Sequence, residues 1–246
     1  MSDLFYPNKL YPLQDAVLRS TGSVESHFYL TGGTALSRAY LGHRYSDDLD
    51  FFVNRAPNFK KQVNLILGRL KQDGLAFQTG AISDEFIRIV VEKNKVVLKI
   101  DFVNDVEAHF GALTPLKGLF PRVDSWQNIL SNKICALSRL EPKDFADILF
   151  IAKKYPFDWE HIINEAREKD LWVEPIAVSR LIREFPVIKT RAVRWTRPVD
   201  EKALLKIAET VSDDILMGRT NSLSTINDVA RPHAAQSPAL KPHPAA

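Results

Sequence analysis

HRYSDDLDF, residues 43–51, decides how the chain is read. Asp47, Asp48 and Asp50 fall within four positions and run directly into Leu49, Phe51, Phe52 and Val53. The apolar residues mark a strand over 49–53, so acids enter the edge of a core. Side chains two apart on a strand share a face. Asp48 and Asp50 therefore project together, while Leu49 and Phe51 point the other way; Asp47 alternates away from Asp48. Two carboxylates so close repel, and burial would neutralise at least one of them. A hard divalent cation with oxygen ligands resolves the conflict, and Mg²⁺ is commonly held by one or two carboxylates together with substrate phosphates.

A third acid is similarly placed. Asp101 lies in VVLKIDFV between Ile100 and Phe102, near the end of a second predicted strand, 95–103. Aspartate is disfavoured within strands. If this strand lies beside 49–53, Asp101 meets Asp48 and Asp50, and three carboxylates suit two Mg²⁺ ions about 3.5–4 Å apart, the arrangement for in-line displacement at phosphorus. Upstream, HFYLTGG (27–33) reads as a strand ending in Gly32 and Gly33, followed by a helix over 34–41. Such a turn admits close backbone approach and offers a helix N-terminus to an anion. Thr34 adds a hydroxyl.

Helices are expected over 8–22 and 57–71, and a hairpin joins strands 85–92 and 95–103 at Lys93-Asn94. Past Pro121 helical periods take over: 124–140, 142–154, 158–169, 174–185 and 200–217, punctuated by prolines. This predicts an α+β lobe (residues 1–117) followed by an all-helical lobe (118–228). The last stretch, 229–246, is proline-rich with few large apolar residues and is expected to be disordered.

The bulk numbers exclude several classes. The 246 residues are 45% hydrophobic and 26% charged, an ordinary globular balance. No run approaches the ~18–20 apolar residues of a membrane span, and the N-terminus lacks a secretory pattern, so a cytoplasmic location without membrane association is expected. One cysteine, Cys135, rules out an internal disulfide and a multi-cysteine zinc site. The six histidines show no ligand spacing, and neither a G-x-S-x-G elbow nor a P-loop is present. A net charge of +3 permits an anionic partner. Basic residues around Trp195, from Arg183 to Arg197, fit either a nucleic-acid strand or a solvated connector.

GGTAL followed by R-x-S-x-D-h-D (Arg44, Ser46, Asp48, Leu49 and Asp50, where h is hydrophobic) resembles the DNA polymerase β-type nucleotidyltransferases, and within them the AbiEii/AbiGii toxin branch. NKICALSRLEPKDFADILFI (132–151) resembles that branch's later lysine and R…KD…D motif. The resemblance implies a polymerase β-like lobe with a mixed sheet. It implies Mg²⁺-dependent transfer of NMP from an NTP to an acceptor hydroxyl, with release of pyrophosphate. Asp48, Asp50 and Asp101 would hold the metal, and Asp101 would take the hydroxyl proton. Gly32, Gly33 and Thr34 would cradle phosphates, and Lys133 would neutralise triphosphate charge. Arg44 and Ser46 would contact phosphate or tie down their loop; Asp144 would touch substrate or pin Lys133 or Arg139. The partners implied are a tRNA 3′ end and a cognate antitoxin. A protein or small-molecule acceptor, or a non-catalytic nucleotide- or antitoxin-binding module, stay open as alternatives.

Overall fold

The computed structural model describes residues 4–224, so the tail expected to be disordered, 229–246, lies outside the described residues. A π-helical turn (Tyr6–Leu10) leads into α1 (Tyr11–Gly22), then β1 (Tyr29–Thr31). Helix α2 (Gly32–Ala35) continues as a π-helical stretch to Leu41. Next come β2 (Leu49–Asn54), α3 (Phe59–Gln72), β3 (Phe77–Ile82), β4 (Phe86–Lys93), β5 (Val96–Asp105), β6 (Thr114–Leu116) and β7 (Phe120–Val123). The remainder is helical: α4 (Trp126–Ala136), α5 (Pro142–Lys154), α6 (Trp159–Lys169), α7 (Pro175–Glu184) and α8 (Glu201–Leu216).

The strands form one seven-stranded mixed sheet, ordered β3-β4-β5-β2-β1-β7-β6. β2–β5 and β1–β7 are parallel; the other pairs are antiparallel. The β4–β5 hairpin turns at Asn94-Lys95, one residue later than expected, and both residues have positive φ (53° and 63°), as a two-residue type I′ turn requires. Three strands escaped the sequence reading. β3 is almost wholly exposed and β6 and β7 are short, so none shows a clear alternation. Because β7 pairs with β1, the sheet runs to Val123, beyond the expected lobe boundary at 117.

One sheet face is the core. Leu49 pairs with Ile100 and Phe51 with Phe102, and all four are fully buried. The Phe51 and Phe102 rings stack at 5.5 Å, with Phe28 edge-on to Phe102 at 5.3 Å. Burying each ring contributes roughly 2–3 kcal/mol. α1 and α3 cover this face through their own buried residues, among them Val17, Leu18, Val63 and Ile66. The opposite face carries the half-exposed positions of β2 and β5 and is left to face α4.

Candidate active site

Strand pairing lines up charges across that second face. Asp50 is opposite Asp101 on β5 and opposite Thr31 on β1, while Asp101 is opposite Arg88 on β4. Directly paired residues project from the same face, so Thr31, Asp50, Asp101 and Arg88 form one row. Asp48, just before β2, and Lys99 on β5, each two residues back, begin a second. Arg88 holds Asp101 with two bonds, Nε to Oδ1 at 2.7 Å and Nη2 to Oδ2 at 2.8 Å. Lys99 Nζ is 2.7 Å from Asp48 Oδ2. Asp50 has no such cation among the described residues. Burial, then the charges of Asp101 and Asp48, push its carboxyl up to about 6.

The glycine turn is built around these groups. Gly32 has φ +66°, and a Cβ there would lie 2.5 Å from Asp50 Oδ2. At Gly33 a Cβ would collide with the Arg44 guanidinium and crowd Ser46 Oγ. Both glycines are therefore required by close approach, and Gly32 also by its left-handed backbone. Thr34 is fully buried, and its hydroxyl donates to the Asp48 carbonyl. That hydroxyl fixes the acidic loop and is turned from the cleft, which Gly32 and Gly33 line.

The facing wall comes from α4 and α5. Ser125 caps α4 by accepting from Asn128 N at 2.9 Å, and the buried stripe of Ile129, Leu130 and Ile134 seats the helix. Lys133 is only 8% exposed. Its ammonium meets Asp144 Oδ1 at 2.5 Å and Asp147 Oδ2 at 2.9 Å. Burial opposes its charge, but Asp147 and Asp144 outweigh burial and raise its pKa. Asp144 also accepts from Arg139 at 3.3 Å, so it pins both cations the sequence offered it.

Asp147, not assigned a role in the sequence reading, is the hub of this wall. It is fully buried, accepts from Arg44 Nε and Nη2 at 2.7 Å each, and lies 2.8 Å from His43 Nε2. A carboxylate only accepts, so His43 donates from Nε2. Burial lowers the His43 pKa, and its Nδ1 is buried with no hydrogen-bond partner among the described residues. Burial works against the Asp147 charge, yet Arg44 and Lys133 hold its pKa well below the usual range. Arg44 is thus spent in tying the loop of residues 43–48 to α5, although it borders the cleft.

The stretch 183–197 has a structural use as well. Arg183 pairs with Asp213, Arg191 with Glu201, and Arg194 donates to Tyr6 OH at 2.7 Å. The Trp195 indole donates to Thr190 O at 3.1 Å and packs on Phe150 with ring centroids 5.3 Å apart. Tyr45 N donates to Arg194 O at 2.7 Å and Thr196 N to His43 O at 3.1 Å, so the segment straps down the site loop. Tyr6 OH donates to Asp47 at 2.7 Å, which draws that acid away from the row, as alternation required. Cys135 lies in the cleft wall, but burial pushes its thiol up to about 11, unsuited to a nucleophile.

Between the walls is a cleft of about 760 Å³, lined by seven acidic and seven basic side chains. Charges so balanced give little net attraction for a triphosphate, unless something offsets the carboxylates. Hard oxygen donors concentrated at Asp48, Asp50 and Asp101, with one carboxyl shifted by burial and then by its neighbours, have the chemistry of a dication site. The set is not preassembled: no three acid, histidine or cysteine side chains among the described residues form a closed metal-binding group. Lys99 and Arg88 compete for two of the acids. Opposite stand Arg139 and Lys143, both exposed toward the cleft, and Lys143 makes no ion pair among the described residues.

Solved structures share this architecture. A candidate nucleotidyltransferase from Helicobacter pylori superimposes with a TM-score of 0.60 at 18% identity, covering 92% of this chain and 99% of that one. JHP933, also from Helicobacter pylori, gives 0.58 at 20% identity, covering 89% and 94%. No curated protein matches the sequence. No helix among the described residues is long and apolar enough to cross a membrane. The model of the nucleotidyl transferase AbiEii toxin family, of type IV toxin–antitoxin systems, matches residues 16–215, which span both walls of the cleft: the chain belongs to that family of nucleotidyltransferase toxins.

Proposed function

We propose that this chain transfers NMP from an NTP to an acceptor hydroxyl, and that the acceptor is the 3′ end of a tRNA. One observation carries the chemistry: Asp50 and Asp101 are register partners on adjacent strands, with Asp48 two residues away and Lys133 on the facing helix. In the reaction the acceptor oxygen bonds to the α-phosphorus, the bond to the β-phosphate bridging oxygen breaks, pyrophosphate leaves, and the hydroxyl proton passes to Asp101. Asp48, Asp50 and Asp101 would hold Mg²⁺, which supplies charge neutralisation at the transferring and leaving phosphates. Gly32 and Gly33 let the triphosphate approach the backbone. Lys133, Arg139 and Lys143 face it from the helical wall and stabilise the departing charge. The toxin family supports an antitoxin as protein partner.

The test is incubation with each labelled NTP, Mg²⁺ and total cellular RNA, beside Asp48→Ala and Asp50→Ala. Label in tRNA that vanishes in both variants is the expected result. Label in protein or in a small molecule moves the acceptor. The absence of any transfer, with nucleotide still bound, leaves a binding module.

A further inference from the structure

Beyond the carboxylate row the cleft continues between the end of β5 and the first turns of α4. Its lining there includes Phe52, Val103, Val106, Asn132 and Lys169. Lys169, on α6, donates to Asn128 Oδ1 at 2.5 Å, Ser131 Oγ at 2.8 Å and Asn132 Oδ1 at 2.6 Å. It makes no ion pair among the described residues, and burial lowers its pKa. An ammonium has three protons and no acceptor. Three neutral oxygens therefore saturate Lys169, and it has nothing left for a ligand.

Its effect falls on Asn132. The two ends of an amide are ordinarily told apart only by their partners. Here the partner is unambiguous, because only the oxygen can face an ammonium. The amide NH₂ must point away from Lys169, and it has no hydrogen-bond partner among the described residues. Asn132 is half-buried, precedes Lys133 on α4 and borders the cleft. It presents a donor whose orientation cannot invert.

We infer that Asn132 is a specificity-determining residue that reads the nucleobase, with Lys169 as its positioning residue. This rests on the nucleotidyltransferase reading above. With phosphates over the carboxylate row, Val103 and Asp105 lie about 7 and 13 Å along β5 from Asp101, the reach of a nucleoside. Phe52, Val103 and Val106 offer an apolar floor for a base. A fixed donor in the same cleft, set against the 6-position of a purine or the 4-position of a pyrimidine, selects a keto oxygen over an exocyclic amino group, so GTP and UTP are favoured over ATP and CTP.

The experiment measures the affinity of the full-length protein for each of the four NTPs by calorimetry, with Mg²⁺ present. The wild type is compared with Asn132→Ala, Asn132→Asp and Lys169→Met. One hydrogen bond predicts a preference of roughly three- to tenfold. Asn132→Ala and Lys169→Met level it. Asn132→Asp reverses it, since one oxygen stays with Lys169 and the other turns an acceptor to the base. Lys169→Met strands three acceptors and can unfold the protein. The half-exposed Asn132 variants, checked by thermal melting, then carry the test. An unchanged ranking in both Asn132 variants, or a wild type that favours ATP or CTP, overturns the inference while leaving the nucleotidyltransferase reading standing. Failure of the wild type to bind any NTP takes both down.

Discussion

The two walls of the cleft use charge in opposite ways. On the sheet wall the ion pairs are open on at least one side: Lys99 and Asp48 are 35% and 29% exposed, and Arg88 is 39% exposed against 11% for Asp101. Such pairs are worth about 0–1 kcal/mol and exchange readily for another ligand. On the helical wall Asp147 is completely buried among Arg44, Lys133 and His43. Buried carboxylates with this many donors are framework, because losing a partner strands a desolvated charge. The difference separates the carboxylates that can turn to a substrate or an ion from the buried carboxylate that holds the helical wall in place.

Substitution should divide along the same line. Asp50→Asn should lower transfer activity by on the order of 10³-fold, comparable to removing a strong electrostatic contributor from other active sites. Circular dichroism should show the fold retained. Asp147→Asn should do the reverse. Arg44, Lys133 and His43 would be left facing a neutral amide, and unfolding by urea should report a loss of about 3–5 kcal/mol. A stable Asp147→Asn protein with only its activity lost would make Asp147 part of the chemistry and blur the division between the walls.

Gly32→Ala probes the seam where the sheet wall meets the turn. The φ of +66° strains any side chain, and the Asp50 carboxylate occupies the space a Cβ would need. The expected cost is about 1–3 kcal/mol of stability, read as a lowered melting temperature. A displaced Asp50 should also weaken metal binding. Gly42→Ala is the control: its φ of +61° is similar, but nothing lies within 4 Å of its Cβ position. Equal effects at both glycines would show that backbone strain alone decides.

How much of this was legible follows from where each signal resides. The sheet wall is local. Asp48, Leu49 and Asp50 alternate within three residues, and Asp101 interrupts an apolar strand, so all three acids are visible without knowing how strands pair. The register that sets Asp101 beside Asp50 is a long-range fact that the sequence could only make conditional. The helical wall is almost entirely long-range. Asp147 sits at a helical spacing common to solvated acids, and its partners come from residues 43, 44 and 133. Likewise the basic run around Trp195 has the composition of a nucleic-acid strand. The partners of Arg183, Arg191 and Arg194, namely Asp213, Glu201 and Tyr6, lie outside the run, and only the fold shows those three cations engaged.

The smallest expected effect tests whether the sheet wall stores the repulsion that a dication would relieve. In the folded chain the Asp50 carboxyl is pushed up from 3.8 to about 6, chiefly by burial and then by Asp101 and Asp48. Between those values the folded state binds more protons than the unfolded state, so this group makes stability fall as pH rises. The loss is complete above about pH 6. After discounting for partial exposure it should amount to about 1–2 kcal/mol. Comparing urea unfolding of wild type and Asp50→Asn from pH 4 to pH 7 isolates it: the variant should gain relative to the wild type across that interval. Mg²⁺ at pH 7 should then stabilise the wild type more than the variant, because an ion bound only by the folded state shifts the equilibrium toward it. Parallel pH curves for the two proteins, with equal response to Mg²⁺, would mean that the carboxylates of the sheet wall are already neutralised by Lys99 and Arg88, and that both walls are framework.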